Sequence, residues 1–423
     1  MAYTDMTRDE LQAELKALET EYASIKAQGL KLNMARGKPG REQLDIVSDM
    51  LTVLSDADDC FADGMDARNY GELCGLPSAR AYFADLMGTR PENVFVGGSA
   101  SLQLMYGLIA KGCTNGLKNS EKPWACVEDK KFLCPAPGYD RHFRVTESLG
   151  FTLVTIPMTD EGPDMDAVEE AIKDPSVKGI WCVPKYSNPD GIIYSERVLD
   201  RFVHLKPAAP DFTVMWDNAY CIHEFEGDYV PFPSILALAK EAGTEDMFYE
   251  FASTSKVTFP GAGISCMVCS DANMAYLKKL LGAEIISYDK LNQLRHVRYL
   301  KNKQETLALM KKHATVLGPK FAMVLKKLDA AIAPLGIARY TRPSGGYFVS
   351  YYAMPGTAKR IWNLCKEAGV VLTDAGAAYP YGKDPVDSHI RIAPSLPPIA
   401  ELDKAMDVFC VCARIAAIEK LLG

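Results

Sequence analysis

No stretch of the 423 residues stays apolar for the roughly 18 to 20 positions that a membrane-crossing helix needs, so no such span is expected. The opening residues, MAYTDMTRDELQAEL, lack the basic start and apolar run of a secretory leader and carry acids instead. An excess of positive charge is also missing. Lys and Arg number 47 against 54 Asp and Glu, a net charge of −7. That balance argues against nucleic acid as a general partner, because phosphate backbones are met by a concentrated basic footprint. Internal repeats and low-complexity tracts are absent too. What remains is the expectation of a cytoplasmic globular protein of two or three domains, for which 48% hydrophobic and 24% charged residues are ordinary.

Cysteine is plentiful, at 12 residues, but the spacing of a metal site is not there. The one CxxC, Cys266-Met-Val-Cys269, has no second pair at zinc-site distance. It lies in ISCMVCS, which reads as a strand, where positions three apart face opposite sides of the sheet. Cys126, Cys182 and Cys266 sit in apolar runs, where a free thiol behaves as a small hydrophobe. Core thiols in a reducing compartment, and no metal, are expected.

Along the chain, Thr7 and Glu10 form a capping-box pattern, Leu11, Leu15, Leu18, Tyr22 and Ile25 share one helical face, and Gly29 ends it. An irregular segment, MARGKPG at 34–40, follows. From about residue 94, VFVG (94–97), KFLC (131–134), FTLVTI (151–156) and GIWCV (179–183) each precede a helical pattern, and FTVMW, FYEFA and ISCMVC come in succession. Short apolar strands separated by helices predict an α/β domain with a mostly parallel sheet covered on both faces. Ligands of such sheets sit at the carboxyl ends of the strands. A Lys-rich helical pattern near 303–334 leads to GYFVSYY, VVLTD, HIRIA and a last helix from about 399, which read as a smaller α+β unit. The expected division is 1–50 as the N-terminal segment of the small domain, 51–310 as the large domain, and 311–423 as the rest of the small one.

Five motifs carry chemistry. Gly97-Gly98-Ser99-Ala100-Ser101 lies between a strand and a helix start, where small residues let backbone N–H groups approach an anion. No Gly-Lys-Ser/Thr follows, so it is not a Walker A loop. Ser187-Asn188-Pro189-Asp190-Gly191 is a strong turn signal. Asp217-Asn-Ala-Tyr220 puts a carboxylate and a phenol at a strand end, although Asp there also serves as a plain turn residue. FASTSKVTFPGAG places Lys256 after three small hydroxyl residues and before Pro-Gly, features that a merely exposed lysine does not need. His389-Ile-Arg391 sets a guanidinium in an apolar strand, where its planar fork suits a carboxylate, of a ligand or of a structural ion pair.

In this order the motifs resemble those of the fold type I pyridoxal-phosphate-dependent aminotransferases, class I/II, over about residues 30 to 395. MARGKPG, PAPGYDRHF and STSKVTFPGAG are most similar to the aspartate-aminotransferase branch grouped with MocR-like aminotransferases. The resemblance implies a large domain with a mostly parallel seven-stranded sheet, a smaller α+β domain, pyridoxal 5'-phosphate as cofactor, and a homodimer with active sites at the subunit interface. It implies Lys256 as the Schiff-base lysine, which then moves a proton at the substrate α-carbon, a task that needs a depressed pKa. Asp217 would keep the ring nitrogen protonated, Asn188 and Tyr220 would hydrogen-bond the ring's phenolic oxygen, and Tyr139 would stack on the ring. The phosphate would rest on the backbone of Ala100 and Ser101 and the hydroxyls of Ser99, Ser253 and Ser255, with Tyr70 reaching it from a partner subunit. Arg391 would clamp the substrate α-carboxylate beside Asn188, and Gly37 would close over it. A dicarboxylic substrate needs a second cation, for which Arg36, Lys290 and Arg295 are candidates. The chain departs from most class I relatives in one place: eight residues after the lysine, where they have a phosphate-binding arginine, it has Ile264.

The reaction so implied is transamination between an amino acid and a 2-oxo acid, with aspartate and 2-oxoglutarate as the pair closest to the resemblance. Alternatives are another donor (alanine, an aromatic amino acid or aminoadipate), a lyase using the same cofactor, and a non-catalytic sensor. Ser253-Thr-Ser-Lys256 also fits the S-x-x-K of serine acyltransferases and β-lactamases, but no K-T-G occurs and Pro260-Gly261 stands where those enzymes need a helix. A MocR-type regulator carries a DNA-binding segment ahead of this fold, and only about 30 residues precede MARGKPG.

Overall fold

The apolar runs form seven strands, β1 (Val94–Gly97), β2 (Lys131–Ala136), β3 (Thr152–Thr159), β4 (Val177–Cys182), β5 (Thr213–Asp217), β6 (Phe248–Ser253) and β7 (Ser265–Cys269), in a computed structural model that describes residues 1–423. Their order across the sheet is β1-β7-β6-β5-β4-β2-β3. Strands β2 to β6 pair in parallel, and β7 runs antiparallel to both β6 and β1. An eighth strand of two residues, Gly162–Pro163, folds back onto the β3 edge. It is too short to announce itself by any apolar pattern. Every residue of β1, β4, β5 and β7 is buried, as a sheet covered on both faces requires. Within β7 the alternation is visible: Cys266 packs with Val94, Val96 and Val268 on one face, and Cys269 with Phe95 and Met267 on the other.

Three further strands, β8 (Ala338–Tyr340), β9 (Val349–Ala353) and β10 (His389–Ile392), make a small antiparallel sheet. The helices that matter below are α1 (Arg8–Ala27), α2 (Ser101–Thr114), α3 (Asp140–Ser148), α4 (Lys290–Leu300), α5 (Lys303–Ala331) and α6 (Ile399–Leu422). Thr7 and Glu10 close the capping box at the start of α1. The apolar stripe of α1 joins the core of the C-terminal unit, where Leu11 and Leu18 share a cluster with Leu402, Met406 and Phe409. Leu32–Asn33 adds a short parallel pairing with Val370–Val371. The N-terminal segment therefore packs with the C-terminal unit, and α5 runs unbroken from the large sheet's surroundings into that unit's core.

Candidate active site

The motifs converge because the sheet register brings their strand ends together. Gly97, Ser265 and Ser253 form one rung across β1, β7 and β6, and Phe251 of β6 stands beside Asp217 of β5. The loop after β1 therefore opens into α2 next to the Ser253–Lys256 segment, with the Asp217 carboxylate one strand away.

Asp217 is buried, and its Oδ2 lies 2.9 Å from His142 Nε2. His142 stacks on Trp181 with centroids 4.3 Å apart and meets Tyr139 edge-on at 4.8 Å. The other carboxylate oxygen, Oδ1, is buried with no hydrogen-bond partner. Such an orphan acceptor is costly in a native interior unless a donor arrives, and a protonated ring nitrogen is such a donor.

Nearby, α2 begins at Ala100 without a side-chain cap, so its first N–H groups are open to an anion. Hydroxyls gather at the same place. Ser253 Oγ bonds Ser255 Oγ at 3.1 Å, and Ser255 Oγ donates to the Ser99 carbonyl at 3.3 Å. A Cβ on Gly263 would lie 3.4 Å from that same carbonyl, so the glycine lets two loops close on each other. This is a cradle of phosphate-binding type without an arginine of its own. Ile264 is buried and spends its backbone on Thr254. Arg295 approaches the loop indirectly, bonding Asn292 Oδ1 at 2.5 Å while Asn292 holds the Gly263 carbonyl at 2.8 Å. The Arg295 Nε is buried and unpartnered.

Lys256 Nζ lies 4.9 Å from the ring centre of Tyr220 and 5.8 Å from that of Tyr347. Burial pushes its pKa below the usual lysine value, with the Asp217 charge pulling the other way. Tyr220 is buried beside it, Asn188 is also buried, and burial, then the Asp217 charge, raises Tyr139 to about 12.

Arg391, on β10, donates through Nη1 to Asp140 Oδ1 and Asn188 Oδ1, both at 3.2 Å, and through Nη2 to Thr373 Oγ1 at 3.3 Å. Its Nε has no partner, and its guanidinium sits 4.7 Å over the Phe348 ring. It borders a cavity of about 870 Å³ that is also lined by Tyr139 and Asp140, by Arg36 and Gly37 of the N-terminal segment, and by Arg141 and Arg144 of α3. A Cβ on Gly37 would overlap the Phe348 ring.

Of the three candidate second cations, only Arg36 lines this cavity. Lys290 is buried and committed to the carbonyls of Asn69 and Gly71, and Arg295 faces the phosphate-type loop. Through those carbonyls Lys290 holds the loop that presents Tyr70, which is 81% exposed. His142, Tyr347, Arg141 and Arg144 are the residues that sequence reasoning missed. PAPGYDRHF holds two of them, but only the turn of α3 shows that Arg141 and Arg144 share the cavity face while His142 turns to Asp217.

An amine at 256 with a lowered pKa, near a carboxylate at 217 whose Oδ1 lacks a donor, fits a pyridine aldehyde. The layout is that of the fold type I pyridoxal-phosphate-dependent aminotransferases. The family model described as aspartate amino-transferase matches residues 6–423. An aspartate aminotransferase of Corynebacterium glutamicum is 44% identical over 402 residues, 95% of this chain and 93% of that protein. The crystal structure of an aspartate transaminase from the same organism superposes with a TM-score of 0.97 at 42% identity, covering 99% of each chain. A 2-aminoadipate transaminase of Thermus thermophilus is 27% identical over 321 residues, 75% of each. The chain belongs to the aspartate amino-transferase family and is a pyridoxal-phosphate-dependent aminotransferase.

Proposed function

We propose that the enzyme transfers the amino group of aspartate to 2-oxoglutarate, as a cytoplasmic homodimer whose subunits complete each other's sites. The observation that carries the dicarboxylate reading is the arginine content of one cavity. Arg391 is positioned for an α-carboxylate, and Arg36, Arg141 and Arg144 line the same space for a second one. The aspartate aminotransferase relative supports the choice of donor.

When bound, the cofactor supplies an electron sink for the charge left on the α-carbon after its proton departs. The rest falls to the chain. Lys256 would hold the cofactor, and its amine, once free and with its pKa lowered by burial, would carry the proton off the substrate α-carbon. The free oxygen of Asp217 would hold a proton on the ring nitrogen, while His142, wedged between Trp181 and Tyr139, fixes the carboxylate. Asn188 and Tyr220 would hydrogen-bond the ring's oxygen, Tyr139 would cover its face, and Ser99, Ala100, Ser101, Ser253 and Ser255 would hold the phosphate. Asp140 occupies part of the Arg391 fork, and a substrate carboxylate would compete with it. Gly37 and Arg36 close the opening beside Phe348.

The dimer is supported by a set of exposed apolar side chains, Leu51, Phe61, Tyr70, Tyr106 and Ile286, each at least 46% exposed. Tyr70 would then reach the partner's phosphate. The test of substrate is an amino-donor panel with 2-oxoglutarate as acceptor. Aspartate and glutamate should turn over while alanine does so poorly. At least one of Arg36→Ala, Arg141→Ala and Arg144→Ala should lower kcat/KM for aspartate roughly 10- to 100-fold, the worth of a charged hydrogen bond, and leave alanine unchanged. If all three variants keep aspartate at the wild-type value, the dicarboxylate reading fails. The size of the cavity favours a second reading, a longer dicarboxylic donor such as 2-aminoadipate, which the same panel decides.

A further inference from the structure

Opposite residues on neighbouring strands share a face of a sheet, as do alternate residues along one strand. In the small sheet Arg339 stands opposite Tyr352, Tyr352 opposite His389, and Ser350 opposite Arg391. These five side chains therefore occupy one face, and it lies against the turn at 187–191 of the large domain. Two hydrogen bonds cross the seam. Arg391 Nη1 donates to Asn188 Oδ1 at 3.2 Å, and the Tyr352 hydroxyl donates to Asp190 Oδ1 at 2.7 Å. Asp190 is 7% exposed. The Arg339 guanidinium covers the Tyr352 ring at 3.6 Å, and Ser350 is bonded to His389 at 3.0 Å. The turn also sits tightly: a Cβ on Gly191 would come within 2.6 Å of Pro343, on the loop joining β8 to β9.

The two crossing bonds differ in quality. Every contact of the Arg391 fork is 3.2 Å or longer and its Nε has none, so its own bonds hold it loosely. The shorter Tyr352–Asp190 bond is made by a buried carboxylate, for which a lost donor is costly. Arg391 is thus placed mainly by its strand; Tyr352 ties that sheet to the Asn188 turn, while backbone bonds from Phe225 and Glu226 to the Ser344 carbonyl and from Gly346 to the His223 carbonyl tie its β8–β9 loop to the large domain further along.

We propose that Asp190 is a positioning residue for substrate recognition: by accepting the Tyr352 hydroxyl it pins the small sheet to the turn that carries Asn188, and so sets where Arg391 presents its fork. The proposal rests on the reading of Arg391 as the carboxylate clamp. A two-pronged contact demands alignment of both oxygens, so a small displacement of the fork weakens binding of substrate more than later chemistry.

The experiment uses the holoenzyme and four variants, Asp190→Asn, Tyr352→Phe, their combination, and Arg391→Lys. Donor KM, kcat, the Kd of a non-reacting dicarboxylate such as succinate, the visible absorption of the cofactor against pH, and Tm are measured for each. Tyr352→Phe keeps the ring under Arg339, so it is the gentler change should Asp190→Asn fold poorly. Asp190→Asn and Tyr352→Phe should each raise donor KM and succinate Kd about tenfold, with kcat within about twofold of wild type and the cofactor's absorption profile unmoved. The combination should be no worse than the worse single variant, because both remove one link. A KM within twofold of wild type for Tyr352→Phe, a fall in kcat without a rise in KM, or additive effects would overturn the proposal. Arg391→Lys separates the two readings. If it leaves donor KM unchanged, the clamp itself is wrong; if it raises KM while Tyr352→Phe does not, only the role of Asp190 is.

Discussion

Glu250 lies on β6 beside Trp216, next to the rung that holds Asp217. It is buried, takes one hydrogen bond from Asn218 Nδ2 at 3.0 Å, and leaves its Oε2 unpartnered. Burial raises its carboxyl from 4.5 to about 7, with the Asn218 bond opposing. The folded pKa lies above the unfolded one, so the folded chain binds the extra proton between about 4.5 and 7. Stability falls as pH rises through that window and is level above it, a loss of a few kcal/mol at most. Glu250→Gln should match wild type in denaturant unfolding near pH 5 and exceed it at pH 8; a gap that does not change with pH would contradict this. At the scale of single residues, several members of the candidate site were conspicuous in the sequence. Lys256, Asp217, Asn188 and Arg391 are chemistry-bearing types at strand ends or in apolar strands, where their type alone is conspicuous. His142 and Tyr347 were not, because their meaning lies in contacts made across the fold, with Asp217 and with Gln43, whose amide donates to the Tyr347 hydroxyl at 3.0 Å.

Elements were legible where burial is two-sided. Most strands of the large sheet stand out because short, largely apolar runs of four to six residues have few other uses, whereas the edge strand β3 alternates buried and exposed positions. Gly162–Pro163 and the Leu32–Asn33 pairing escape, since two residues hold no period and their partners are distant in sequence. Helix α1 was readable end to end, from the Thr7–Glu10 box to Gly29, which takes φ +61°. The segment between α1 and the large domain has a sequence cue of another kind. Gly37 faces Phe348 so closely that a methyl group there displaces either the segment or the ring beneath Arg391. Gly37→Ala should raise donor KM several-fold and leave Tm within about 2 °C, as expected for a change confined to a surface segment of a large chain. A variant with wild-type KM would show that the segment does not close over the substrate.

At the scale of the molecule, the chain turns at α5 without a linker, so composition could not show where one unit ends and the next begins. A dimer would account for Tyr70, which is exposed on a loop held by a buried Lys290. If sites are shared, inactive variants complement. A hybrid of one Lys256→Ala subunit and one Tyr70→Ala subunit has one site with both defects and one with neither. Random mixing should then restore about a quarter of wild-type activity, since half the dimers are hybrids with one good site each. Additive residual activity with no recovery would place Tyr70 outside the partner's site.

The central claim is a covalent one, that Lys256 carries pyridoxal phosphate with Asp217 holding the ring's proton. Reducing the purified yellow enzyme with borohydride and mapping its peptides tests it most directly. The cofactor's mass should appear on a single peptide, the one containing Lys256, and should vanish in Lys256→Ala. A label on another lysine, or a protein that stays colourless when supplied with pyridoxal phosphate, would contradict the account.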